Sequence, residues 1–552
     1  MPLTNNPLWY KNAIFYEAHI RSFCDSNGDG KGDLPGLTSK LDYLKELGVD
    51  CLWLLPMFPS PLKDDGYDIA DYHHIHSDYG TVEDFKRLVD EAHARGIRVV
   101  TDLVLNHTSD LHPWFVESRQ SKDNPYRDYY VWSDTDQKYK EARIIFLDTE
   151  PSNWTLDPNT GEYYWHRFYA SQPDLNYDNP VVAEAMIDVL RYWMDMGIDG
   201  FRADAVPYLF EREGTNCENL PETHVYLKRV RKILDQHYPG TILLGEANQW
   251  PWDLRPYFGG DERDPSVPGD EFHMAFHFPV MPRIFKALAL GDASDIIQIM
   301  AQTPAIPTNC QWCVFLRNHD ELTLEMVTEE DRQLMWQLYA PHPRMPLNLG
   351  IRRRLAPLLD NDRRKLAVAN AILFSLPGAP IIYYGDEIGM GDNIDLFDRN
   401  GVRTPMQWTG EPGAGFSSAD PAEFWAPLID DETYGYQKVN VEAQRAEPGS
   451  LFHQMKYFVT TRKANPVLGW GSCEFLGVNN KAILAYLRQT SNTRLLIVCN
   501  LSGQAQEVSL PLADFVGHRP VDILSRQTLP IISQADYPLS LQPYQYHWLR
   551  FG

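Results

Sequence analysis

At 552 residues the chain exceeds one simple domain, and hydrophobic residues at 43% with aromatics at 12% can fill large packed cores. The formal net charge of -25 excludes a phosphate-binding surface, which needs clustered Lys and Arg, so no nucleic acid is expected as a partner. It argues equally against anionic membranes, whereas a neutral, hydroxyl-rich substrate would be indifferent to it. Residues 1–23 lack a basic head followed by a long apolar run, and no apolar stretch nears the roughly 18 residues of a membrane span. The 7 cysteines are odd in number and scattered, which suggests reduced thiols and a cytoplasmic location. Cys310 and Cys313 form a lone CxxC at the start of a strand-like run, which reads as burial ahead of metal or redox chemistry.

Short apolar runs, rich in β-branched and aromatic residues, occur at 13–20, 51–55, 98–105, 200–203, 241–245, 273–278, 314–316 and 380–384. Helical patterns lie between them at 83–95, 181–196, 225–237 and 363–373. Strands alternating with helices predict a parallel sheet covered on both faces, and eight such strands fit an α/β fold of the (β/α)8 TIM-barrel type. The barrel is expected over 1–108 and 174–464. Residues 109–173, long, aromatic and polar, read as a subdomain inserted after the third strand. Residues 333–362, rich in Pro and Arg, read as a smaller insertion after the seventh. From 465 to 552 short alternating strands predict a C-terminal antiparallel β-sandwich domain.

Side chains just past the C-terminal ends of barrel strands converge on one mouth. Here those ends carry acids set in apolar runs: DLVLNH at 102–107, GFRAD at 200–204, LLGE at 243–246 and FLRNHD at 315–320. A buried acid is unfavourable unless paired or put to use. Each taken singly could be a salt-bridge partner or a helix cap. Four in strand order, with Arg202, His107 and His319 nearby, point to an active site. Residues 25–33 read DSNGDGKGD, with oxygen donors at alternating positions, as in the first half of a calcium loop. The donors would be Asp25, Asn27, Asp29 and Asp33 with the Lys31 carbonyl; the alternative is an acidic, glycine-rich surface turn. His73, His74 and His76 match no established ligand spacing.

The four strand-end segments resemble four short regions of the α-amylase family, glycoside hydrolase family 13, and QPDLN at 172–176 resembles its fifth. The resemblance implies a retaining mechanism with Asp204 as nucleophile, Glu246 as general acid and base, and Asp320 as transition-state stabiliser. Arg202 would keep the nucleophile ionised. Asp64, Tyr67, His107, Gln172, His319 and Arg403 match positions lining the pocket for the transferred sugar. A second family cation site would use Asn106, Asp174 and Glu211 with the carbonyls of Tyr208 and Leu209. Calcium is the expected structural ion, with magnesium an option at one site, and no organic cofactor is expected.

Other blocks resemble the trehalose synthases of that family: EARIIFLDTEPSNWTL at 141–156, GEANQWP at 245–251, NHDELTLEMV at 318–327, RRRLAPLLDNDRRK at 352–365, and RTPMQW followed by Thr409. That resemblance implies an isomerase moving a glucosyl group within one bound maltose or trehalose, the small-molecule disaccharide being its partner. Asn248 and Glu321 are placed to hold the released glucose while it turns over, and Arg143 to help close the pocket. Two alternatives stay open: an α-glucosidase using the same triad, and a catalytically inactive binding subunit, against which the intact triad argues. Edge strands of the terminal domain could pair two copies into a homodimer.

Overall fold

The computed structural model of the chain describes residue 3 and residues 6–551. Eight parallel strands close on themselves: β1 (Phe15–Ala18), β2 (Cys51–Leu54), β3 (Arg98–Val104), β4 (Gly200–Asp204), β5 (Ile242–Gly245), β6 (Met274–Phe276), β7 (Gln311–Phe315) and β8 (Ala379–Tyr383). They neighbour one another in chain order, β8 returning to β1, as a TIM barrel requires. Every residue of all eight strands is buried, which is why these segments read as unbroken apolar runs rather than alternating ones.

Local chemistry sets the elements around the barrel. The helix Val82–Ala94 starts at a reciprocal capping box between Thr81 and Asp84 and buries Phe85, Leu88, Val89 and Ala92, one face of a 3.6-residue period. Gly200 opens β4 at φ +147, where a Cβ would stand 2.1 Å from the Ile242 carbonyl oxygen, so only glycine lets β4 and β5 meet there. The register then sets Asp102 beside Arg202 and Val104 beside Asp204.

Most strand limits shift by one to three residues from the sequence pattern, and two of the shifts have a clear local cause. The first strand ends at Ala18, because Ile20–Phe23 turns into a short helix with His19 at its N-cap. The seventh begins at Gln311, whose buried amide donates to the carbonyls of Lys11 (2.9 Å) and Gly469 (2.8 Å), so a polar residue sits in the sheet with its donors satisfied. Cys310 and Cys313 are buried and free.

Between β3 and β4 lies a small sheet ordered Trp132–Ser133, Tyr163–Trp165, Trp154–Leu156, packed around Trp154, Trp165 and Val131. Single bridges of His107 with Asp174 and Tyr130 with Leu175 tie this segment to the barrel. After β7 come the strands Leu322–Thr323, Pro346–Leu347 and Gly350–Ile351 and the helix Glu329–Tyr339. The C-terminal antiparallel domain sets a five-stranded sheet (Ser472–Phe475, Ile483–Gln489, Arg494–Asn500, Tyr546–Phe551, Pro520–Asp522) against the pair Gln506–Pro511 and Asp536–Leu541. Buried Arg488 of this domain donates to the barrel carbonyl of Ser375 at 2.6 Å and joins the two parts. Among the described residues no helix is long and apolar enough to cross a membrane.

Candidate active site

The barrel mouth holds a pocket walled by acids from three strand ends and lined from the inserted segment by Ile145, Phe146 and Phe168. Asp204 ends β4, and Ala205 behind it is left-handed at φ 52, a strained turn for a residue with a Cβ. That turn aims the Ala205 N–H at Glu246 Oε2, 3.3 Å away. Arg202, almost wholly buried, donates through Nη1 to Asp204 Oδ1 (2.7 Å) and Asp102 Oδ1 (2.5 Å), and its Nη2 lies 2.7 Å from Glu246 Oε1. One guanidinium therefore holds Asp204 and Glu246 side by side.

Burial pushes the Asp204 carboxyl up to about 6, opposed by the Arg202 charge and by a hydrogen bond from Glu246. Burial pushes Glu246 further, to about 7, with Arg202 opposing and the Asp204 charge reinforcing. The two environments separate the acids in the order that an ionised nucleophile beside a protonated acid needs. Asp320 goes the other way. Burial would raise it, but His319 (3.1 Å), Arg399 (2.9 Å) and Arg403 (3.1 Å) surround it and hold it well below the usual carboxylate range.

Tyr67 stacks on His319 with ring centroids 5.3 Å apart and planes 9° apart, and its hydroxyl meets His319 Nε2 at 2.9 Å. Asp64 accepts from Arg399 Nη2 (2.5 Å) and Gln172 Nε2 (2.9 Å). Two pocket-lining residues leave a buried polar atom without a protein partner: His107 Nε2 and Asn248 Oδ1. Burial lowers His107 to about 3, so its imidazole is neutral. Asn248 Nδ2 is fixed by Thr323 Oγ1 at 3.2 Å, which leaves its carbonyl oxygen for a ligand hydroxyl. A pocket of buried acids, a stacking ring and two unpaired neutral polar groups suits a carbohydrate.

Residues 18–340 and 352–471 match the alpha amylase catalytic domain, and residues 473–548 match the maltogenic amylase C-terminal domain. The chain belongs to the α-amylase family. Within that family it is 56% identical over 551 residues to the trehalose synthase/amylase TreS of Mycobacterium tuberculosis, covering 99% of this chain and 91% of that one. It is 56% identical to the trehalose synthase of Pimelobacter sp., covering 99% and 96%. An oligo-1,6-glucosidase of Halalkalibacterium halodurans is 32% identical, at 94% coverage of each chain. Among solved structures, the trehalulose synthase of Pseudomonas mesoacidophila MX-45 superposes with a TM-score of 0.79 at 30% identity, covering 99% of both chains.

Asp64, Tyr67, His107, Asp204, Glu246, Asn248, His319, Asp320 and Glu321 all line the pocket of this α-amylase-family barrel. Arg202, Gln172 and Arg403 stand one layer behind, each bonded to a lining acid. Burial pushes Glu321 up to about 7. The sequence reading missed Arg399, which lines the pocket and bridges Asp64 to Asp320; its signal is a second arginine four residues before Arg403. Glu218 and Glu325 were missed as well. Arg143 joins them, with Nε 2.8 Å from Glu218 Oε1 and Nη1 2.8 Å from Glu325 Oε2, tying the inserted segment to the segment after β7.

The expected cation donors fall into two groups. Asn106 Oδ1, Asp174 Oδ2 and Glu211 Oε1 are buried acceptors with no hydrogen-bond partner. Burial pushes Asp174 and Glu211 well above the carboxylate range, Glu211 further by the Asp174 charge. Tyr208 and Leu209 are buried beside them in sequence, and the Tyr208 ring also lines the pocket. In the 25–33 loop the acids are engaged by the loop itself. Asp25 accepts from the N–H groups of Asn27, Gly28 and Gly30 (3.0, 2.8 and 2.8 Å), Asn27 from Asp29 and Asp29 from Lys31 (2.9 Å each). Asp33 caps the helix Leu34–Ser39 by accepting from Gly36 N–H. Among the described residues no three His, Cys, Asp or Glu side chains converge as a metal cluster; the Asn106 group has only two carboxylates.

Proposed function

We propose that this chain interconverts maltose and trehalose by moving a glucosyl group within one bound disaccharide. The observation that carries this reading is a tie over the pocket wall. Arg143 joins the inserted segment to Glu218 and to the pocket-lining Glu325, a tie that would retain a released glucose and limit the entry of water. The relatives at 56% identity are named trehalose synthases, which supports the same reading.

In the proposed mechanism an Asp204 oxygen attacks the anomeric carbon while Glu246 gives its proton to the glycosidic oxygen, and glucose leaves with that proton. Both carboxyls contact one guanidinium, in keeping with the roughly 5–5.5 Å spacing of retaining enzymes rather than the wider inverting spacing. Asp320, kept ionised by His319, Arg399 and Arg403, favours the oxocarbenium-like state. Asn248 Oδ1 and Glu321 hold the freed glucose as it turns. Its anomeric hydroxyl then gives a proton back to Glu246 and attacks the glucosyl carbon, which releases Asp204. Water in place of that hydroxyl yields two glucose molecules, so side hydrolysis measures leakage past that tie.

For the structural ions, the three unpaired buried acceptors of Asn106, Asp174 and Glu211 support a calcium site joining the inserted segment to the barrel. The Asp25, Asn27, Asp29, Lys31 and Asp33 loop is the second candidate, supported by its donor spacing alone. A cytoplasmic location and a homodimer remain parts of this reading that rest on the sequence.

The deciding experiment is proton NMR of the purified protein with maltose and isotopically labelled free glucose. Unlabelled trehalose reaching a plateau with little glucose is the expected result. Glucose accumulating without trehalose would make the chain an α-glucosidase.

A further inference from the structure

The Tyr67–His319 wall of the pocket is held from behind by an acid that does not line it. Glu17 sits on β1 and is fully buried. Its Oε1 accepts from the His319 backbone N–H at 3.1 Å and from His319 Nδ1 at 2.5 Å. Two bonds to one residue fix both the backbone and the ring. The opposite nitrogen, Nε2, then faces Asp320 Oδ2 at 3.1 Å and the Tyr67 hydroxyl at 2.9 Å. Trp53 packs against the ring edge-on, with centroids 5.9 Å apart.

We propose that Glu17 is a positioning residue for glucosyl transfer: it locks His319 so that Nε2–H stays turned into the pocket as a charged donor to the transferred sugar. This rests on the glucosyl-transfer reading above, though not on which product forms. A carboxylate faces each nitrogen, Glu17 at Nδ1 and Asp320 at Nε2, which favours the imidazolium that can donate at both. Burial alone would lower His319, but the charges of Asp320 and Glu17 raise it to about 9. The other groups facing the ring agree with a cation there. Asp102 from β3 and Glu246 from the end of β5 both sense its charge, and the nearby cations Arg399 and Arg403 are engaged by carboxylates. Glu17 Oε2 has no partner, so the pair is made through one oxygen.

The test is Glu17→Gln in the full chain, with maltose consumption followed from pH 5.5 to 8.5 whatever product appears. The amide keeps the shape and the acceptor but removes the charge, so His319 loses its proton at lower pH. A neutral His319 in the variant would only keep Glu246 protonated to higher pH, which lifts the variant there, so a fall in the ratio of variant to parent kcat/KM with pH reads His319. The ratio is expected to stay within about threefold of one at pH 5.5 and to fall at least a further tenfold by pH 8.5, mostly through KM. A ratio flat across that range overturns the inference and makes Glu17 a packing residue. In a His319→Gln background the same change should add less than about twofold, whereas a full additive loss overturns it too. Should Glu17→Gln not fold, Glu17→Asp must give the same pH-dependent ratio in smaller degree, and a pH-independent loss counts against the proposal. A parent protein that cleaves no α-glucoside overturns the glucosyl-transfer reading and this inference with it.

Discussion

Arg143 Nη1 lies 2.8 Å from Glu325 Oε2, and this contact joins the segment inserted after β3 to the segment after β7 at the pocket wall. Glu218 anchors the same guanidinium at 2.8 Å and is itself held by Arg167 at 2.9 Å. Opening the clamp should admit water without disturbing the acids. Arg143→Ala and Glu325→Ala are each expected to raise the ratio of glucose to trehalose several-fold, with total maltose consumption reduced less. The products are read by NMR. The Arg143 side chain is 35% exposed, so the loss of folding stability should stay near or below about 1 kcal/mol.

Asn248 has one half of its amide fixed and the other unpaired. Asn248→Ala removes the acceptor proposed for the released glucose but leaves Asp204, Glu246 and Asp320 untouched. Trehalose formation should fall about tenfold or more while hydrolysis of an aryl α-glucoside changes little, since that leaving group needs no reorientation. An unchanged ratio of trehalose to glucose would remove Asn248 from the reaction.

What the sequence made legible, and what it did not, follows from how each residue is recognised. Asp204, Glu246 and Asp320 stand out because an acid ending a buried strand has no bland explanation when several recur in strand order. Arg399 and Glu17 gave no such signal. Arg399 meets Asp64 across 335 residues and Glu17 meets His319 across 302, pairings that exist only once the barrel has closed. The β7 limit was missed for a similar reason: Gln311 reads as polar and becomes a strand residue because distant carbonyls accept its amide.

Arg399 neutralises two acids at once, Asp64 at 2.5 Å and Asp320 at 2.9 Å. Asp64 is already pushed up to about 7 by burial, with Arg399 opposing. Arg399→Met would leave buried Asp64 without its main cation and Asp320 with one of its three removed, a loss of roughly 3–5 kcal/mol for a broken buried pair. kcat/KM should fall more than a hundredfold. Asp64→Asn in the same background should recover part of the thermal stability and none of the activity, with both read by calorimetry and kinetics.

The three unpaired acceptors of Asn106, Asp174 and Glu211 make a direct test of the calcium proposal. Excess chelator should lower Tm by several degrees, and added calcium should restore it. Asp174→Asn should lower the parent Tm and abolish the response to chelator at that site. A Tm indifferent to chelator would assign the three acceptors to the fold alone.

The separation of Asp204 from Glu246 fixes a pH profile. The proposed mechanism needs Asp204 ionised, so kcat/KM should rise as pH climbs through about 6; it needs Glu246 protonated, so kcat/KM should fall as pH climbs through about 7. The expected optimum is a narrow bell between those limbs. The same shifts carry a sign for stability. Both acids hold protons in the folded state that the unfolded chain has already released, so their contribution is fully present below the unfolded carboxylate pKa, near 4–4.5. It is lost as pH rises through 6 to 7, where the pocket must take up charge against its own burial. Glu246→Gln removes the larger of these burdens. It should cut isomerisation by roughly 10²–10⁴-fold. It should also raise Tm at pH 8, by a gain on the order of 1–3 kcal/mol, while leaving Tm at pH 5 nearly unchanged. A variant less stable than the parent at pH 8 would mean that the Arg202–Glu246 contact outweighs the desolvation of Glu246.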